Sequence, residues 1–141
     1  MSDYDADVLL WSERQADLLR RLAAGERVND QVDWENVIEE VESVGSEQLH
    51  AVQSLLRQAL IHMLKADAWP VSRDAPTWRA AAINFRADAA DRFVPSMRQR
   101  IDLARIYRQA VRALPDMMDY QRPRPVPETC PVTLDELLAE D

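Results

Sequence analysis

The chain has 141 residues, a net charge of −8, two glycines and a single cysteine. That is enough chain for one domain with a real core, too few thiols for an internal disulfide or a thiolate-only zinc site, and nowhere an apolar run of about 18 residues or an apolar leader. Abundant Ala and Leu, with few β-branched residues in alternation, predict an all-α fold. The expected architecture is a single domain over residues 1–141, an antiparallel bundle of four main helices, one very long. Residues 120–141 are expected as a proline-rich tail plus a short capping helix, and the expected location is cytoplasmic, with no membrane partner.

The first helix is expected from Tyr4 to Ala24. Tyr4, Val8, Trp11, Gln15, Leu18, Leu19 and Leu22 line one face, Asp3 or Asp5 caps the start and Gly25 marks the end. A short polar linker should return it antiparallel along the second helix.

That second helix dominates the chain. It starts at Asp33, a good N-cap, with Glu35, Glu39 and Glu40 near the positive end of its dipole. At 100° per residue, Trp34, Ile38, Val41, Gly45, Leu49, Val52, Leu56, Ala59, Leu60 and Met63 fall in one stripe that holds its phase through Gly45. The alternative is a helix end at Val44-Gly45-Ser46 followed by a new N-cap. Gly45 lies on the stripe, which suggests a close approach by another group, and equal counting from the linker places Trp11 there. The helix ends near Asp67, before two prolines.

A third helix starts about Pro76, with Asp74 as its cap, and packs through Trp78, Ala81, Ala82, Phe85 and Ala89 before stopping at Phe93 or Val94. Ser96 is the expected cap of a fourth, with Met97, Ile101, Ala104, Tyr107, Val111 and Leu114 on its core face and Pro115 at its end. The proline-rich stretch that follows should run extended along the surface. Thr133 and Glu136 then stand in capping-box spacing ahead of Leu134, Leu137 and Leu138.

The blocks "YDADVLLWSE", "DWENVIEEVESVGSE", "LLRQALIHMLK", "TWRAAAINFR", "VPSMRQ" and "PETCPVTLDELLAED" resemble, in this order, successive blocks of the bacterial family called domain of unknown function 29. The resemblance covers nearly the whole chain. It implies a small helical protein and no established activity. Val132 departs from the aromatic usual after "PETCP", and the chain stops at Asp141 where relatives tend to continue.

Several constellations invite a chemical reading. Glu39, Glu42 and His62 suggest a metal or acid–base site, since helical carboxylates at i and i+3 can share a metal. In one continuous helix, however, the 23 residues from Glu39 to His62 span ~35 Å. Glu47 and His50 form one Glu-x-x-His spacing, on the polar side. No metal or other cofactor is therefore expected. Glu42, at the edge of the apolar stripe, is expected in a buried ion pair with an arginine near the Phe93 to Arg100 turn. His62, Trp69, Trp78 and Arg79 are the candidate lining of a small pocket. Cys130, between Thr129 and Pro131, reads as a packed side chain rather than a nucleophile.

Charge is unevenly spread. Through Pro70 the chain carries 14 acidic and 6 basic residues, and from Trp78 to Arg124 it carries 5 acidic residues and 10 arginines. Arg98, Arg105, Arg108 and Arg112 could meet phosphates, but overall acidity speaks against nucleic acid. Every catalytic spacing fails, whereas tryptophan-bearing helices and an extended tail suit contact surfaces. The reading is a non-catalytic protein-interaction module, acting with a protein partner or as a homodimer. An enzyme or ligand binder using the His62 corner is the alternative, and an arginine-mediated nucleic-acid binder the third.

Overall fold

The computed structural model describes residues 3–139, and among these the regular structure is helical. The helices are α1 (Asp3–Ala6), α2 (Val8–Ala23), α3 (Trp34–Ala68), α4 (Ala75–Arg92), α5 (Leu103–Arg112) and α6 (Leu134–Leu138). The chain gathers into two compact units that divide between Ser46 and Glu47, inside α3.

In the first unit, the single helix expected over Tyr4–Ala24 is two. Asp7 leaves helical geometry and its side chain accepts the Leu10 N–H at 3.1 Å, so it caps α2 and ends α1 at Ala6. An aspartate in mid-pattern competes for backbone donors in this way. At the other end, Gly25 takes φ +93°, the left-handed conformation that closes a helix and that a Cβ disfavours. Of the expected inner face only Trp11 is fully buried, and Val8 is exposed.

α3 runs unbroken through Gly45 for 35 residues, so the phase of its stripe prevailed over the glycine. The close approach expected at Gly45 is absent: a Cβ placed there meets nothing within 4 Å. Trp11 instead packs edge-on against Tyr4, with ring centroids 4.8 Å apart, and donates from Nε1 to Asp33.

The second unit holds the main core. Val52, Leu56, Leu60 and Leu64 of α3 meet Ala89 of α4, Met97, Ile106, Tyr107 and Ala110 around α5, and Leu137 of α6. The positions 52, 56, 60 and 64 repeat every four residues along one helical face, so burying one row buries them all. A second cluster joins Ala66, Ala68, Trp69, Ala75 and Trp78. Asp74 precedes α4 without a side-chain cap bond, and of the residues expected on that helix's core face Trp78, Ala82 and Ala89 are buried while Ala81 and Phe85 are half-buried.

The fourth helix starts later than expected. Pro95–Met97 is a single 3-10 turn, the Met97 carbonyl accepts the N–H groups of Arg100 and Ile101, and α5 begins only after Asp102, whose side chain accepts the Arg105 N–H at 3.1 Å. Met97, at the end of that turn, is buried.

Residues 121–127 are pinned at three points. Trp69 Nε1 donates to the Gln121 carbonyl at 2.9 Å, Arg124 N–H donates to the Ala68 carbonyl at 2.9 Å, and the Tyr107 hydroxyl donates to the Pro127 carbonyl. The stretch after α5 is not uniformly extended: Met118 and Gln121 bond reciprocally around Asp119 and Tyr120, both at positive φ (52° and 62°). Two consecutive left-handed residues make a type I′-like turn. At α6 the Thr133 and Glu136 capping box forms in both directions. Val132 packs half-buried on the main core. Arg86 of α4 donates to the carbonyls of Glu136 and Leu137 and to that of Ala139, placing a cation at the negative end of α6.

Candidate functional site

The first unit is ordered by Asp33. Its carboxylate accepts from Trp11 Nε1 at 2.9 Å and Asn36 Nδ2 at 2.8 Å, its backbone carbonyl accepts the Val37 N–H at 2.9 Å, and its own N–H donates to Gln15 Oε1 at 2.8 Å. One residue thus starts α3 and ties it to α2. The Asn36 side-chain amide, followed by the Trp11 indole and the Asn36 backbone N–H, holds the Asp33 carboxyl below the ordinary carboxylate value against the opposing effect of desolvation. Nearby the Tyr4 hydroxyl donates to Glu40. This bond first, with desolvation and the charges of Glu40, Glu39 and Asp5, pushes the Tyr4 pKa up to about 12.

These contacts occupy the side of α3 that carries Asn36 and Glu40. The stripe lies on the other side and stays open: Val41 is 70 % exposed, Ile38 53 % and Trp34 42 %, although Trp34 is held in place by donating from Nε1 to the Asn29 carbonyl at 2.7 Å. Farther along the same stripe, within the second unit, Val52 and Leu56 are fully buried. Glu35, Glu39 and Glu42, all exposed, border the open stretch on one edge. The first 46 residues carry 12 acidic and 4 basic residues, which is the whole net charge of the chain. The face is therefore apolar, acidic at its rim and on a helix with one end fixed.

The residues singled out from the sequence are placed differently from expectation. Glu42 is exposed, so the buried ion pair is not formed: the stripe beside it is uncovered, and a solvated carboxylate requires no partner. Arg98, from the turn expected to supply its partner, pairs with Asp135 at 2.6 Å and lies over the Phe93 ring. His62 is half-buried, donates from Nδ1 to the Gln58 carbonyl of its own helix at 2.7 Å and stacks obliquely on Phe85. Trp69 and Trp78 are buried in the second cluster, Lys65 Nζ sits 5.9 Å over the Trp78 ring, and Arg79 is exposed. Trp69 and Trp78 are thus core residues, with His62 Nδ1 and Trp69 Nε1 committed to backbone carbonyls. Cys130 is half-buried and donates to the Val132 carbonyl at 3.3 Å. Glu39, Glu47 and His50 are exposed. Among the described residues no three His, Cys, Asp or Glu side chains converge as metal ligands, and no helix is long and apolar enough to cross a membrane.

The open face was legible in the sequence only as a stripe. Trp34, Ile38 and Val41 fall on the same helical stripe as the buried Val52, Leu56 and Leu60, and periodicity alone does not say which half is covered.

No curated protein matches the chain. A solved structure does, described as an alpha-helical protein of unknown function from Rhodospirillum rubrum ATCC 11170. The likeness has a TM-score of 0.67 and 28% sequence identity, and covers 100% of this chain and 92% of that one. The family model described as "Domain of unknown function DUF29" matches residues 4–141. With nearly its whole length matched, the chain belongs to the DUF29 family.

Proposed function

We propose that this is a non-catalytic, cytoplasmic protein-interaction module whose first unit docks a basic, apolar segment of another protein. The observation that carries the reading is the uncovered stretch of α3, Trp34, Ile38 and Val41, on a helix whose start is locked by Asp33. A row of apolar side chains at i, i+4 and i+7 suits an amphipathic helix laid along it. Completing the burial of these three side chains is worth on the order of 4 kcal/mol, because a fully buried Val, Ile or larger side chain contributes about 1.5–3 kcal/mol and these are already partly covered.

Charge selects the partner. Glu35, Glu39 and Glu42 at the rim favour arginine or lysine flanking the docked segment, through attraction that speeds association and fixes register. An isologous dimer through this face would instead bring together two first units, each carrying the chain's full excess of acid. A heterologous basic partner therefore fits better than a second copy.

The test compares the wild-type protein with the double variant Ile38→Glu, Val41→Glu, both recovered from the native organism under mild conditions and weighed by native mass spectrometry. Because both side chains are exposed, circular dichroism should be unchanged. The expected result is a second polypeptide of basic composition, in fixed ratio, with the wild type and its loss with the variant. A metal-free homodimer that the variant disrupts, or a partner retained equally by both, would overturn the proposal.

A further inference from the structure

A cleft of about 220 Å³ opens in the second unit between the polar side of α3 and the start of α5. On α3, His50 and Arg57 stand seven residues apart and so project from one face. From the other wall come Arg100, Asp102 and Arg105, and Ile106, which is buried, is part of the lining. Three arginines, whose side chains are always charged, thus line one cleft.

These arginines differ from others in the same unit. Arg98 is paired with Asp135, and Arg86 is bonded to the carbonyls at the end of α6. By contrast, among the described residues, the guanidinium groups of Arg57, Arg100 and Arg105 make no ion pair or hydrogen bond. Asp102 is the opposing charge, and one of its oxygens is occupied in capping α5 through the Arg105 N–H. Three positive charges against one negative leave an excess of two. Arginine's planar fork matches the oxygens of a phosphoryl group, and a phosphate monoester carries close to two negative charges above its second pKa of about 6. The positive end of α5, whose first turn lies at the cleft, adds to the attraction.

We propose that this cleft binds the phosphate-monoester group of a small molecule, with Arg57, Arg100 and Arg105 as its ligands. The shape also separates this ligand from a nucleic-acid backbone. A duplex presents singly charged diesters in an extended row, which favours a basic stripe over a cleft closed on two sides.

Inorganic phosphate is the probe, titrated into the full chain by isothermal calorimetry at low salt and pH 7.5. The expected result is saturable binding at one site, weakened about tenfold or more in Arg57→Gln and in Arg105→Gln, each of which removes a charge-assisted hydrogen bond. Arg112→Gln, outside the cleft lining, should bind like the wild type. A second readout needs no variant: the backbone amides of residues 50–57 and 100–109 should shift in heteronuclear NMR spectra as phosphate is added. Absence of saturable binding, shifts confined to other residues, an equal loss in Arg112→Gln, or binding of a 20-base-pair duplex without binding of inorganic phosphate would each overturn the assignment.

Discussion

Replacing Tyr107 by Phe isolates one of the three points that pin residues 121–127. The ring is 2 % exposed and belongs to the main core, and its hydroxyl donates to the Pro127 carbonyl. Phenylalanine keeps the ring and its packing and removes only the hydrogen bond. The Pro127 residue is exposed, so its carbonyl can turn to water, and the expected loss is about 1 kcal/mol, the usual net worth of a neutral hydrogen bond. Tyr107→Ala removes the ring as well and should cost about 3–5 kcal/mol. Urea unfolding followed by circular dichroism gives both values, and the slope with urea should not change in the Phe variant. Because Trp69 and Arg124 still hold their carbonyl partners, cleavage by a glutamate-specific protease after Glu128, which is followed by Thr129, should accelerate only about fivefold in Tyr107→Phe, the factor that 1 kcal/mol allows if opening precedes cutting. A Phe variant as damaged as the Ala variant, or one with no loss of stability, would refute the reasoning, since either outcome means that the hydroxyl does not act as a local pin.

The two glycines should respond in opposite directions. Gly45→Ala should raise stability by about 0.5–1 kcal/mol, because the added Cβ meets open space in a helix interior, whereas Gly25→Ala at φ +93° should lower it by about 1 kcal/mol; thermal melts decide both. Leu56→Ala in the buried core should cost about 2–5 kcal/mol, while Val41→Ala on the open face should stay within about 0.5 kcal/mol in the isolated protein, a contrast that vanishes if the face is covered by a second copy. Acid tests the first unit: Asp33 has a carboxyl held below the ordinary value, so its stabilising effect is present above about pH 4 and is lost as pH falls through its folded-state pKa. Trp11 fluorescence should report that change, and the difference between wild type and Asp33→Ala should shrink along the same descent. At the alkaline end Tyr4, raised to about 12, favours the folded unit below pH 10 and loses that effect as pH rises from about 10 to 12; ultraviolet titration of Tyr4→Phe against wild type should remove one late-ionising phenol.

Local patterns decided much of this protein before any tertiary contact was considered. The phase of α3, the capping box of Thr133 and Glu136, the stop before the prolines after Ala68 and the left-handed Gly25 follow from helical periodicity, side-chain capping and backbone sterics, all of which act within a few residues. Competition between equivalent local signals was settled only by packing. Asp7 and Asp102 became caps where a longer helix and Ser96 were the simpler readings. Function was still less local. The sequence could mark an apolar stripe from Trp34 to Met63 but not that its first part stays open while Val52, Leu56 and Leu60 are buried, because the same helical periodicity serves a core and a docking face equally well. Nor could it bring Arg57 beside Arg100 and Arg105, more than 40 residues away along the chain. Their convergence depends on how α3 and the α5 turn pack, which no spacing along a single helix encodes.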